Sequence, residues 1–378
     1  MDFRSLAAMR FRSLDSLRGL AALAVVFHHC LLTLPASAYG RGGVPWLFAA
    51  TPLRLLVDGP GAVLLFFVLS GFVLAASIEA GRKHEDGAFH YGRFAAKRFL
   101  RIYPPFAAII LASAGLYLLV QPSPIEGLSG WFNHQSWAYP VTPQLIVGHL
   151  LMTDQHRDMS LMNVMWSLVH ELRISMIFPL VFFGLRARPG ITLLVTALLS
   201  AAANYALGKY QLDPVTQTLC GSAQYVLMFA VGTLLFLHHQ TLSALVQKSR
   251  GLGTAGLILL GAWLFYQPRG MAVFGLWGMG LAATCYVIAA FASPTLVRLL
   301  SGGAASWLGK VSFSLYLVHL PILLTLMHLF ADRVSVAVLI AATVLLSLIF
   351  AGLSYQWIER PVMEFGRRVT QPRPAKAS

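Results

Sequence analysis

The sequence predicts an all-α fold: a polytopic membrane helix bundle with about ten transmembrane helices and both termini in the cytoplasm. Three observations carry that prediction. Of the 378 residues, 57% are hydrophobic and only 11% charged, with a mean hydropathy of +0.69. A soluble domain carries about 25% charged residues. Apolar runs long enough to cross a hydrocarbon core of roughly 30 Å recur along the whole chain. The basic residues sit between those runs, and unevenly: 21 of the 28 Lys and Arg fall in alternate connections and both ends, six in the others, and Arg173 lies within a run. That asymmetry assigns the basic side to the cytoplasm. The short alternating segments of a transmembrane barrel are missing.

Taken in order, residues 1–18 form a basic inner segment with Arg4, Arg10, Arg12 and Arg18. Spans follow at about 19–37 and 55–78, separated by a loop with Gly40, Gly42, Gly43 and Pro45. Residues 79–103 form the most basic loop, ahead of a third span at about 104–121. The proline- and aromatic-rich segment 122–145, with Trp131, Trp137 and Tyr139, is long for a bundle and suits a surface segment or a cover over a site. Residues 146–160 read as re-entrant or interfacial. Six more spans are expected at about 161–184, 190–207, 222–238, 252–267, 271–291 and 311–330, and a tenth at about 335–355. The chain is expected to form one membrane domain over 1–378, with basic cytoplasmic tails at 1–12 and 363–378.

The net charge of +14 does not point to nucleic acid, because the basic residues are not gathered on one soluble face. Cys30, Cys220 and Cys285 make neither a metal spacing nor a disulfide framework, and no metal is expected. Ala36-Ser37-Ala38 imitates a signal-peptidase site, but His28 and His29 interrupt the run before it.

The groups that carry chemistry are few. In SLDSLRGLAALAVVFHHC, Arg18 and His29 are eleven positions apart. That is about 16 Å of helix and three turns plus about 20°, so the two lie on nearly one face. His29 sits at mid-membrane depth, where an ionisable group faces a partner or a wet cavity, and is the candidate general base. Arg18 suits a phosphate or an acidic partner, though Asp15 at i−3 is an ordinary one. Glu171 is the acid deep in the fourth span, with Ser167 four residues earlier and Trp166 beside it. It either orients the imidazole or pairs with a buried arginine, and it is expected to serve catalysis with His29 and Arg18 as the carboxylate that orients the imidazole. Arg173 faces another way and needs its own partner. Arg98 and Arg101, at i,i+3 before Pro104-Pro105, suit phosphates or anionic headgroups. Ser312, Tyr316 and His319 form one polar stripe on the ninth span, followed by a bend at Pro321. Glu359-Arg360-Pro361 closes the last span as a cap or ion pair.

Together these pieces resemble the acyltransferase-3 family of integral membrane acyltransferases. LDSLRGLAALAVVFHH resembles its arginine, ten residues, histidine motif, and FFVLSGFVLA, with Ser70, its second-helix signature. KRFLRIYPP, WSLVHELRISMIFPL, LGKVSFSLYLVHLPI and WIERP resemble the segments that follow. The chain departs from the pattern in lacking an aspartate directly before the paired phenylalanines; Asp58 lies earlier.

The resemblance implies transfer of an acyl group, by default acetyl, from cytoplasmic acyl-coenzyme A to a hydroxyl of a carbohydrate or lipid-linked sugar, in a bacterial-type cytoplasmic membrane. It implies His29 as catalytic, Arg18 as essential beside it, and Arg98 and Arg101 in donor binding or in the local structure around it. Ser70, Trp166, Ser167, Tyr316 and His319 are expected to support the site. The rival reading of the same residues is a transporter or exporter of an acidic or acylated solute. A scaffold whose motifs serve only packing is a second rival.

Overall fold

The computed structural model describes residues 3–40, 43–84, 87–152, 159–267 and 272–370. Arg41, Arg157, Arg269, Arg373 and Lys376 lie outside the described residues, as do residues 153–158 of the expected interfacial segment and the tail beyond 370. No strand occurs among the described residues. Nine of their helices are long and apolar enough to cross a membrane, and Leu252–Tyr266 is a shorter apolar helix.

We number the ten apolar helices α1 (Phe3–Leu32), α2 (Gly59–His84), α3 (Tyr91–Val120), α4 (Met165–Ala187), α5 (Pro189–Lys209), α6 (Pro214–Leu237), α7 (Leu252–Tyr266), α8 (Ala272–Ala292), α9 (Gly303–Phe330) and α10 (Val336–Ser354). Each matches an expected span. At about 22 Å, α7 is shorter than a full crossing. After α10 the chain passes through a π turn, Tyr355–Glu359, into a further helix, Arg360–Val369.

Two boundaries differ in ways that matter. The basic segment before the third span is not a loop: α3 begins at Tyr91, so Arg98 and Arg101 are helical, and Pro104 and Pro105 fall inside the helix. Proline removes backbone donors there, but α3 packs against α4, α9 and the terminal helix, and such contacts hold a membrane helix together across proline. Pro321 likewise falls inside α9, within the span expected to hold it. The segment expected to be interfacial contains a short helix, Pro143–Leu150, pinned by buried His149. His149 Nε2 accepts from the Leu161 backbone N–H at 3.0 Å.

The run GPGAVLLFFVLSGFVLA is apolar all round and therefore belongs in the interior. In the structure α2 is the most enclosed of the spans, with Phe67, Val68 and Leu69 fully buried. It packs on α6, α1 and α8. Asp58 caps it, accepting from the Gly61 N–H at 3.1 Å.

One contact sets the position of the chemistry. A Cβ on Gly19 would lie 2.6 Å from Gly309 N, and one on Gly309 would lie 2.6 Å from the Asp15 carbonyl carbon. The backbones of α1 and α9 therefore touch, which only glycine permits. His29 and His319 each lie ten residues beyond that crossing, and they meet. The two helices thus run parallel and in register over about 15 Å.

Candidate active site

His29 and His319 form the upper of two polar clusters. His29 Nδ1 and His319 Nε2 are 3.1 Å apart, with ring centroids at 5.1 Å. His319 is fully buried on α9, whereas His29 is part-buried. Trp131 stacks on the His29 ring with centroids 5.3 Å apart. His28 is turned away: its Nδ1 lies 3.0 Å from the Val57 carbonyl oxygen, beside α2.

Trp131 belongs to a short helix, Gly130–Gln135, in the long segment between α3 and α4. This segment covers the site, and three contacts tie it down. Ser129 Oγ donates to the Leu32 carbonyl at 2.5 Å, and the Ser129 N–H donates to the Thr33 carbonyl at 2.9 Å. Trp137 is buried, with its indole N–H donating to Ser113 Oγ at 3.1 Å.

The lower cluster is built around Glu171. Of the two roles open to this acid, the structure shows the arginine pairing: Glu171 Oε1 accepts from Arg98 Nη2 and, at 2.7 Å, from Ser70 Oγ. Arg98 Nε donates to Ser175 Oγ at 3.0 Å. Glu171 therefore makes no contact with His29, whose side-chain hydrogen-bond partner is His319. The correction is one of register, since Glu171 meets α3 where Arg98 does, below the histidine pair. The Ser167 and Tyr316 hydroxyls are 2.6 Å apart, and both reach the Val164 carbonyl at 3.2 Å. Tyr316 connects the clusters, its ring 6.0 Å from that of His319.

Arg18, Ser70, Arg98, Arg101, Ser167, Glu171 and Tyr316 all line one cleft of about 680 Å³, counted with its open mouth. Phe66, Phe67 and Phe313 supply apolar walls. The cleft adjoins a vestibule of about 1080 Å³ lined by Arg18, Lys97, Arg98, Arg101 and Lys310, with Asp15 and Glu359 as the acids. Arg18, Val73, Arg98 and Arg101 line both spaces. Arg18 keeps its ordinary neighbour, with Asp15 Oδ1 at 3.5 Å.

Of the expected site residues, only Trp166 falls elsewhere. Its ring lies 6.0 Å from His170 and 6.1 Å from Tyr225, on the α6 side of α4. Arg173 finds its partner there too, donating to Thr218 Oγ1 at 2.6 Å and to the Met152 carbonyl at 3.1 Å. Glu359 is a buried acid that accepts from Ser314 Oγ at 2.8 Å, in the vestibule wall and not at an exposed helix end. Ser175 is not singled out by the sequence reading, and Trp131 is named there only as an aromatic of the segment expected to cover a site. Ser175 carried the signal of spacing, four residues after Glu171 on one helix face. Trp131 carried none beyond its place in an unusually long loop. Among the described residues, no group of three or more His, Cys, Asp or Glu is placed to hold a metal ion.

Comparison with known proteins adds the following. A family model described as "Acyltransferase domain" matches residues 11–352. "Protein 2 in picA locus" of Rhizobium radiobacter is 32% identical over 197 residues, 50% of this chain and 90% of that one. "O-acetyltransferase PaAT-1" of Phomopsis amygdali is 23% identical over 92% of this chain and 82% of its own. "Peptidoglycan O-acetyltransferase OatA" of Listeria monocytogenes is 26% identical over 94% of this chain but only 56% of its own. No solved structure matches the chain.

Proposed function

The chain belongs to the acyltransferase-3 family of integral membrane acyltransferases, and from that premise we propose that it moves an acyl group, acetyl by default, from acyl-coenzyme A to a hydroxyl of a carbohydrate or lipid-linked sugar. The observation that carries the donor assignment is the pair of connected spaces. A vestibule with five basic side chains suits the phosphates of a nucleotide donor, and Arg98 and Arg101 are placed at its boundary with the cleft. The apolar walls of the cleft suit a pantetheine-like arm and an acyl group. Residues 1–378 act as one unit in this reading, in a bacterial-type cytoplasmic membrane with the vestibule facing the cytoplasm.

His29 is the catalytic group. In the direct route its imidazole takes the proton of the acceptor hydroxyl as the oxygen attacks the thioester carbon. The new C–O bond forms, the C–S bond breaks, and the proton passes to the departing coenzyme A thiolate. In the two-step route His29 itself attacks the thioester carbon, the C–S bond breaks and coenzyme A leaves as the thiolate; the acceptor hydroxyl then attacks the acyl carbon, the acyl–nitrogen bond breaks, and the hydroxyl proton balances the thiolate, leaving ester, neutral imidazole and coenzyme A thiol. The position of His29 beyond Tyr316, outside the cleft lining, favours the second route, because donor and acceptor can then reach the imidazole from different sides. Arg18 and Arg101 hold donor phosphate at the mouth, and Arg98 with Glu171 and Ser70 fixes the cleft wall.

The test is a product assay by mass spectrometry. Wild type and His29→Ala, purified in lipid, receive isotope-labelled acetyl-coenzyme A and a panel of glycans and lipid-linked sugars. Label in an acceptor with wild type only is expected, and labelled protein on His29 peptides without acceptor would support the two-step route. Undiminished turnover in His29→Ala overturns the assignment. Solute flux that needs no coenzyme A would support the transporter reading instead.

A further inference from the structure

The reading above gives His319 no part, yet both of its ring nitrogens are committed. His319 Nδ1 lies 3.2 Å from the Leu315 carbonyl oxygen, four residues back on α9. A carbonyl oxygen only accepts, so Nδ1 carries the proton. A neutral imidazole has one ring proton, which leaves His319 Nε2 as a bare acceptor facing His29 Nδ1 at 3.1 Å. His29 Nδ1 must then be the donor, and the lone pair of His29 is held on Nε2. The opposite tautomer of His319 would set two acceptors against each other at Leu315. A doubly protonated His319 would place a cation at 1% exposure inside the bundle, with no carboxylate of the described residues paired to either ring.

The other nitrogen of His29 completes the picture. Besides His319, the His29 ring meets the Val25 carbonyl four residues back on α1, an acceptor that likewise requires a ring N–H, and His29 Nε2 is not one of the sealed polar atoms that lack a partner. Its lone pair sits on a ring held by contacts with Trp131 and His319.

We propose that His319 is the positioning residue of this site: its ring accepts the Nδ1 proton of His29, fixes that tautomer, and presents His29 Nε2 as the atom that takes the acceptor's proton or the acyl group. This rests on the reading of His29 as catalytic. The site then uses a second imidazole where a carboxylate would be the more usual orienting group. In the direct route the proton gained at Nε2 makes an imidazolium whose Nδ1 proton stays shared with His319 until Nε2 gives its own to the thiolate.

Histidine-labelled protein in lipid tests this by magnetic resonance, with ring nitrogen and carbon shifts reading the tautomer and His29→Ala assigning the signals. His29 is expected as the Nδ1–H form in wild type and in His319→Gln, whose side-chain oxygen accepts in place of Nε2. His319→Leu is expected to lose that preference. Its kcat with labelled acetyl-coenzyme A should fall about 100-fold with the donor KM within about threefold, while His319→Gln keeps kcat within about tenfold. An Nε2–H tautomer in wild type overturns the proposal, and it decides alone should the leucine variant not fold. Unchanged kcat in a folded His319→Leu also overturns it, and leaves His29 as the catalytic residue untouched. Turnover surviving in His29→Ala sinks the parent reading instead.

Discussion

Arg98 and Glu171 retain 10% and 18% side-chain exposure, so their pairing is made largely out of water. Removing one partner leaves the other charged, enclosed and short of hydrogen bonds. Arg98→Ala is expected to cost about 3 kcal/mol or more, and Arg98→Ala with Glu171→Ala less than the sum of the single changes, because the second removes the orphaned charge. Thermal unfolding in lipid measures both. Arg98→Lys should not fully restore the wall, since a single ammonium nitrogen would have to reach both Glu171 and Ser175, which Nη2 and Nε of the planar guanidinium reach from two positions. The sequence held two roles open for Glu171, and no argument from spacing could choose. The choice depends on how far α3 stands along α4, which a motif does not encode.

Lys97 and Lys310 line the vestibule without lining the cleft. Charge removed there should act on donor capture and not on chemistry. Lys97→Ala with Lys310→Ala is expected to raise the acetyl-coenzyme A KM several-fold with kcat within about twofold. The same KM should rise with ionic strength in wild type, as screening shortens the reach of the basic wall. Steady-state kinetics at low and high salt read both effects, and an unchanged KM would remove the donor from this vestibule.

Among elements, the crossing of α1 and α9 matters most. Gly309→Val would drive a branched side chain into the backbone at Asp15, where a bare Cβ already comes within 2.6 Å. Overpacking of this kind costs about 1–3 kcal/mol. Here it should also separate His29 from His319 and lower kcat more than stability alone explains. Gly115→Ala on α3 is the control, because nothing lies within 4 Å of its Cβ position. It is expected to leave turnover unchanged and stability equal or slightly higher. The extent of α3 was the element misread from the sequence. A basic stretch ending in two prolines has the local chemistry of a loop, and the helix survives because α4, α9 and the terminal helix pack around it.

At the scale of the molecule, the basic residues predict the side on which the vestibule opens. In a cysteine-free background, Lys83→Cys and Glu126→Cys should react with a membrane-impermeant maleimide from opposite faces, with Lys83→Cys shielded in intact cells. Labelling of both from outside would reverse or break the expected topology. The spans themselves were legible because hydropathy is a property of each stretch of about twenty residues, whatever surrounds it. The set of polar residues in the bundle was legible for the same reason, since each ionisable group among apolar neighbours stands out.

Partnership was not legible. The sequence by itself determined the helical class, the succession of spans, and that Arg18, His29, Arg98, Glu171, Tyr316 and His319 would need partners or water. Only the tertiary structure decided that His29 meets His319, that Glu171 meets Arg98, that Trp131 closes over the imidazole and that Trp166 stands apart. Helix periodicity fixes which residues share a face. The height and rotation of one helix against another are fixed by close packing at points such as Gly19 and Gly309, residues 290 positions apart in the chain.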